Sequence, residues 1–150
     1  MAELTSNQLR IRLVTPERVL FDQAAETVEL PSKSGYLEVL YGHAPLVAEL
    51  GAGNINIRGA VSTEAGGESE IRYNVSWGFV EVLPDRVTIL ASDAMKPEEI
   101  DVRRAEQQLD HGLTLWKQAG ESVEAYDEAL RIIAEAEAKI ASAAESAEKG

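Results

Sequence analysis

The side chains most often used as nucleophiles and metal ligands are scarce in this chain. It has two histidines, His43 and His111, and no cysteine in 150 residues. Disulfide frameworks, thiolate nucleophiles and cysteine–zinc sites are therefore excluded, and two histidines do not make a polyhistidine metal centre. A serine triad would have to use His43 or His111, and neither accompanies a Gly-x-Ser-x-Gly elbow. No Gly-Lys-Ser/Thr sequence occurs, so there is no Walker-type phosphate loop. Gly51-Ala52-Gly53 opens like a dinucleotide fingerprint but leads into Asn54-Ile55-Asn56-Ile57, a strand pattern. A tight turn with an open backbone angle accounts better for those glycines. Carboxylates are abundant, 26 Asp+Glu against 14 Lys+Arg, for a net charge of -12. In so acidic a chain, paired carboxylates carry no information about glycosidase geometry. The same excess argues against a nucleic-acid partner, because phosphate binding needs a basic stripe. The expectation is a chain without catalytic residues of its own.

Two kinds of residue remain for recognition. His43 lies in Gly42-His43-Ala44-Pro45, a punctuated loop between two apolar runs. It either hydrogen-bonds its own turn or presents a recognition group on an exposed loop, and both readings stay open. Trp77 and Trp116 are expected to fill cores rather than form a ligand platform. No apolar run approaches the roughly 20 residues a membrane helix needs. The opening MAELTSNQLRIR lacks an apolar core, and Glu3 precedes any arginine, so neither an export signal nor a transit peptide is expected.

The elements that position these residues change character near Pro97. Residues 1–96 hold eight of the eleven glycines and four of the five prolines; residues 97–150 hold eleven alanines and carry 13 acidic against 6 basic residues. This predicts a domain of residues 1–96 followed by one of residues 97–150. In the first, Leu9, Ile11 and Leu13 alternate with Arg10 and Arg12, and Ile71, Tyr73, Val75 and Trp77 alternate with Arg72, Asn74 and Ser76. That is the period of half-buried strands. Further apolar runs, Val19–Phe21, Val28–Leu30, Tyr36–Leu40, Leu46–Leu50, Asn54–Ile57, Phe79–Leu83 and Val87–Leu90, are parted by Gly, Pro, Asp or Ser, including Gly66-Gly67. Short strands with regular turn punctuation predict a β-sandwich or barrel.

The second domain predicts an antiparallel two-helix hairpin. Pro97 suits a first helical position, with Glu98, Glu99 and Asp101 near the positive end of the helix dipole. Val102, Ala105, Leu109, Leu113 and Trp116 form one apolar stripe; Val123, Tyr126, Leu130, Ile133, Ile140 and Ala144 form another. Gly120 fits a helix stop and Ser122 a new N-cap. Glu99–Arg103, Asp127–Arg131, Glu135–Lys139 and Glu145–Lys149 are spaced for helical ion pairs. Gly112 inside the first helix costs about 1 kcal/mol relative to alanine. A single seam, partly of alanine, makes docked and undocked states of the hairpin close in energy.

Taken as a set, these motifs resemble the epsilon subunit of F-type ATP synthases. The likeness rests on Val14-Thr15-Pro16-Glu17, Gly42-His43-Ala44-Pro45 after a Pro31…Gly35 turn, and Leu50-Gly51-Ala52-Gly53. It continues through Gly78-Phe79-Val80-Glu81-Val82, Val87-Thr88-Ile89-Leu90-Ala91, and Ile100-Asp101-Val102-Arg103-Arg104-Ala105, which matches the family's I-D-x-x-R-A motif. The resemblance spans about residues 9–120. It implies a β-sandwich followed by a helical hairpin, in a non-catalytic subunit of the rotating central stalk. The sandwich would grip the gamma subunit and sit on the c-ring through Tyr36, Glu38, Tyr41, Gly42, His43, Ala44 and Pro45. The hairpin would reach the catalytic alpha and beta subunits and block ATP hydrolysis. Membrane association would come only through the complex, at the cytoplasmic face of a bacterial inner membrane or on a plastid thylakoid. The alternatives from other classes are a free-standing acidic adaptor and a small ATP-sensing module.

Three departures from the family pattern stand out. The loop carries its acid at Glu38, with Tyr36 at the family's acidic position and Tyr41 at its proline. Family members that sense ATP share Ile100, Asp101, Arg104 and Ala105, which implies ATP as a regulatory ligand, but they add an acid where this chain has Met95 and a base where it has His111. A local Asp101–Arg104 pair is the preferred reading there. From residue 121 onward there are three basic and eight acidic residues, the wrong sign for an acidic element of the beta subunits. No metal or resident cofactor is implied.

Overall fold

The computed structural model describes residues 8–60 and 70–149; Glu3, the Gly66-Gly67 turn and the side chain of Lys149 lie outside the described residues. Contacts separate two compact units between Ala94 and Met95.

The first unit contains β1 (Leu9–Val14), β2 (Val19–Ala25), β3 (Thr27–Ser32), β4 (Gly35–Leu40), β5 (Leu46–Arg58), β6 (Glu70–Leu83) and β7 (Arg86–Met95). They pair in the order β2-β1-β7-β6-β5-β3-β4. β1 runs parallel to β7 and antiparallel to β2, which makes the sheet mixed. Alternation in β1 is as expected: Leu9, Ile11 and Leu13 are buried, whereas Arg10 and Arg12 are exposed and pair with Asp22 at 2.8 and 3.7 Å.

Two strands are longer than the sequence punctuation suggests. Leu46–Leu50 and Asn54–Ile57 belong to one strand, and so do Ile71–Trp77 and Phe79–Leu83. The expected Gly51–Gly53 turn does not exist: both glycines lie inside β5 and neither has a positive φ. The reason is a change of phase. Along β5 the buried positions pass from Leu50 to Gly53, Ile55 and Ile57; along β6 they pass from Tyr73 and Val75 to Val80 and Val82. β5 exchanges even for odd inward positions, and β6 odd for even, where Leu50 pairs with Gly78. A one-residue change of parity turns the opposite face inward. The sheet thus bends there and covers its own apolar face, which no helix of this unit could do. The result is the expected β-sandwich.

The bend is built on Trp77 and Gly78, with φ of 58° and 134°. A Cβ at Gly78 would overlap the Leu90 carbonyl oxygen. Trp77 is half-buried at this corner and so is not a plain core filler; a bulky residue in the left-handed region is strained.

The second unit is the helical hairpin. Pro97 does not start its first helix but a 3-10 turn, Pro97–Glu99, closed by the Glu99 carboxylate accepting from Lys96 N–H at 3.0 Å. Glu99 therefore lies outside the helix that carries Arg103. Helix α1 is Val102–Gln118 and α2 is Val123–Lys149. Ser122 caps α2 as expected, its Oγ accepting from Ala125 N–H at 3.2 Å, and Gly120 takes φ 60° between the helices. Glu135 and Lys139 pair at 3.5 Å.

The seam between the helices differs from the expected stripes. Ala105 and Gly112 of α1 and the capping residue Ala119 just after it are buried along one line, as are Ala129 and Ala136 of α2, each series stepping by seven. Small side chains let the helices approach so closely that the larger residues beside them are squeezed outward. Of the expected stripes only Ala105 is buried. Val102, Leu113, Trp116, Val123, Tyr126 and Leu130 are exposed, so Trp116 does not fill a core.

Candidate partner-binding site

The loop from Tyr41 to Pro45 joins edge strand β4 to β5, and two backbone bonds anchor it at Gly42 and His43. Gly42 N–H donates to the Pro84 carbonyl at 2.7 Å, and His43 N–H donates to the Leu40 carbonyl at 3.1 Å. Gly42 sits at φ 91°, an angle a side chain would strain. His43 Nδ1 lies 2.7 Å from the Ala44 carbonyl oxygen. A carbonyl can only accept, so Nδ1–H is the donor in this contact. The imidazole thus bonds its own turn, one of the two readings left open by the sequence.

Tyr36 is positioned by a fault in the sheet. Between the Glu29–Asn56 and Ser32–Leu50 pairs the β3–β5 register shifts, leaving Leu30 and Pro31 opposite five residues of β5. Proline has no N–H to offer a ladder. In the gap, Asn54 N–H donates to the Tyr36 hydroxyl at 3.3 Å. Gly53 makes the reach feasible, because a Cβ there would overlap that hydroxyl and sit 3.3 Å from Pro31 Cβ. Tyr36, from the far side of β3, therefore ties the edge strand to β5.

Glu38 ends a polar row across four strands. It pairs with Glu29, Glu29 with Asn56, and Asn56 with Arg72. Asn56 Nδ2 donates to Glu29 at 3.1 Å, and Arg72 Nε donates to Asn56 at 2.7 Å. Two carboxylates directly opposite one another repel. Glu29 is hydrogen-bonded by Asn56 from the inside of the sheet, whereas Glu38 faces solvent at the edge. That arrangement favours a cation arriving from outside.

Sequence reasoning did not single out Leu40, Leu46 and Val47, which are exposed around the same loop together with Tyr36 and Tyr41. Val47 is apolar on the outward parity of β5, a signal that was available once the phase change was known. Rigid backbone, an unmatched carboxylate and clustered exposed apolar groups suit binding to a protein surface. Among the described residues no cluster of three or more His, Asp or Glu could hold a metal ion.

The second candidate group, Ile100, Asp101, Arg104 and Ala105, is brought together by helix capping. Asp101 is the N-cap of α1, its Oδ1 accepting from Arg104 N–H at 3.1 Å. Ile100 and Ala105 flank it, both buried, as the apolar pair of a hydrophobic staple. The contact is thus from carboxylate to backbone amide, not the expected pairing of the two side chains. Capping explains Ile100, Asp101 and Ala105, whereas Arg104 contributes only its backbone N–H.

Comparison with known proteins gives a consistent result. Residues 8–97 match the family model described as ATP synthase, Delta/Epsilon chain, beta-sandwich domain. The ATP synthase epsilon chain of Koribacter versatilis is 44% identical over 105 residues, covering 68% of this chain and 67% of that one. The epsilon chain of Priestia megaterium is 42% identical over 99 residues, covering 66% and 69%. In fold, a chain of the Euglena gracilis mitochondrial ATP synthase (OSCP/F1/c-ring) matches with a TM-score of 0.67 at 20% identity, over 94% of this chain and 81% of that one. A chain from the Tetrahymena thermophila mitochondrial ATP synthase central stalk and c-ring matches at 0.52 and 15% identity, over 74% and 95%. The β-sandwich with its pinned Gly42–Pro45 loop, the hairpin and these relatives together show that the chain belongs to the ATP synthase epsilon chain family.

Proposed function

We propose that the sandwich seats this chain between the gamma subunit and the c-ring, with the Tyr41–Pro45 loop, Tyr36 and Glu38 at the contact. The chain is a non-catalytic subunit of the central stalk of ATP synthase. The observation that carries the loop assignment is its rigidity: two backbone hydrogen bonds anchor it while Tyr36, Leu40, Tyr41, Leu46 and Val47 stay exposed. Torque passes through a contact only if the contact does not yield, and a loop tied to Leu40 and Pro84 meets that need. Glu38 supplies a charge for a lysine or arginine of the partner.

The helical unit is assigned a regulatory role, reaching the catalytic alpha and beta subunits to restrain ATP hydrolysis. Among the described residues no helix is long and apolar enough to cross a membrane. Membrane association then comes through the complex, peripherally, and the bacterial inner membrane's cytoplasmic face is the proposed location. Regulation by bound ATP is the weaker reading, because the Asp101 carboxylate already caps α1.

Native co-purification tests the assignment. The gamma and c-ring subunits are expected with the tagged full chain, and the Tyr41→Ser variant is expected to recover less of both. Recovery of the chain with neither would leave the free-standing adaptor as the better account.

A further inference from the structure

Close packing at the small-residue seam has a consequence on the outside of the hairpin. Leu113 and Trp116 of α1 lie beside the seam on one flank. In an antiparallel pair, the flank of α2 on that same side holds Tyr126 and Leu130, since residues three, six and ten positions before the seam residue Ala136 point there. The four side chains are each between 39% and 43% exposed. Two helices thus expose one composite apolar face, interrupted and edged by acids. Glu106 lies one turn from Val102 and Leu109, Glu137 one turn from Ile133 and Ile140, and Asp110 and Asp127 border the outer sides. Lys117 and Arg103 are the bases of those borders.

We propose that this face is a docking surface for one amphipathic helix of a partner, apolar on its inner side and flanked by lysine or arginine. Geometry sets the helical form: a shallow groove between two close helices takes a third helix along it, completing a three-helix bundle. Charge sets the sign: acids within and around an apolar stripe are desolvated on docking, and only cationic flanks offset that cost. An acidic partner segment would meet like charge at Glu106, Asp110, Asp127 and Glu137, with only Lys117 and Arg103 to offset it. The surface needs both helices, so it exists only while α1 and α2 stay zipped at Gly112. The proposal deepens the regulatory reading of the hairpin by naming the chemistry of its partner.

The test uses the full chain and two synthetic 21-residue amphipathic helices with the same leucine face, one flanked by lysine and the other by glutamate. Binding is read from the indole N–H resonances of Trp116 and Trp77, assigned with Trp116→Phe. The lysine helix is expected to shift Trp116 and not Trp77, and to bind at least about tenfold more tightly than the glutamate helix. Leu113→Ser with Leu130→Ser should weaken binding about tenfold, and Glu106→Lys with Glu137→Lys should reverse the preference. Equal binding of the two helices, a Trp116 signal that does not move, or indifference to both double variants would overturn the proposal. Helix content by circular dichroism confirms that each variant retains the hairpin. Co-purification with the gamma and c-ring subunits is read separately, so loss of the stalk assignment and loss of this docking surface are distinguishable outcomes.

Discussion

Replacing Gly112 by alanine separates two opposed effects in the hairpin. Helix propensity alone favours the substitution by about 1 kcal/mol. The seam opposes it, because a Cβ there would lie 2.8 Å from Ile133 Cγ1, 3.1 Å from Ile132 Cγ2 and 3.3 Å from Ile133 N. The two isoleucine side chains can turn away, but the backbone nitrogen moves only if α2 moves. Overpacking of this kind costs about 1–3 kcal/mol. The balance is a net loss of about 1 kcal/mol, which lowers hydrogen-exchange protection of the α1 amides about fivefold. Exchange measured on the full chain reads hairpin opening without unfolding the sandwich. Ile133→Ala removes the closest atom, so adding it to Gly112→Ala should cost about 1 kcal/mol less than the two single effects combined. A rise in protection for Gly112→Ala would refute the close-packed seam.

Other substitutions test other parts of the structure. Tyr36→Phe removes the partner of Asn54 N–H, so it should cost about 0.5–1.5 kcal/mol and speed exchange of the Asn54 amide; unchanged exchange would contradict the bond. Asp101→Ala should weaken α1 by about 1 kcal/mol in thermal unfolding, whereas Asp101→Asn, which still caps, should cost much less. Equal losses would show that charge rather than capping matters there. With Asp101 engaged as a cap, millimolar ATP should leave the melting temperature unchanged, and a saturable rise abolished by Arg104→Ala would restore the nucleotide reading. Gly78→Ala forces a side chain against the Leu90 carbonyl at φ 134°, and a melting temperature close to that of the parent chain would contradict the corner geometry.

Much of the fold was legible because burial follows local period. The Leu9–Leu13 alternation, the Ser122 cap and the Gly120 stop are each decided within a few residues. The long strands were not legible, since the phase change at Leu50 and Gly78 looks in sequence like the end of one strand and the start of the next. The hairpin seam was misread for a different reason. Large apolar residues dominate any hydropathy stripe, yet helices meeting at Gly112 and alanine are too close for Leu113 or Trp116 to lie between them. At the loop, the residue types of Gly42-His43-Ala44-Pro45 pointed to recognition. The Pro84 anchor and the Tyr36–Asn54 bond are non-local pairings, 42 and 18 residues apart, that no motif encodes.

The most direct measurement of the central claim adds the full chain to ATP synthase assembled without this subunit. Binding and ATP-driven proton pumping are recorded together. Saturable binding with restored pumping is predicted, and Tyr41→Ser with His43→Ala, at unchanged melting temperature, should weaken binding at least about tenfold. A wild-type chain that does not bind would contradict the stalk assignment, and a variant that binds equally well would remove the pinned loop from the contact.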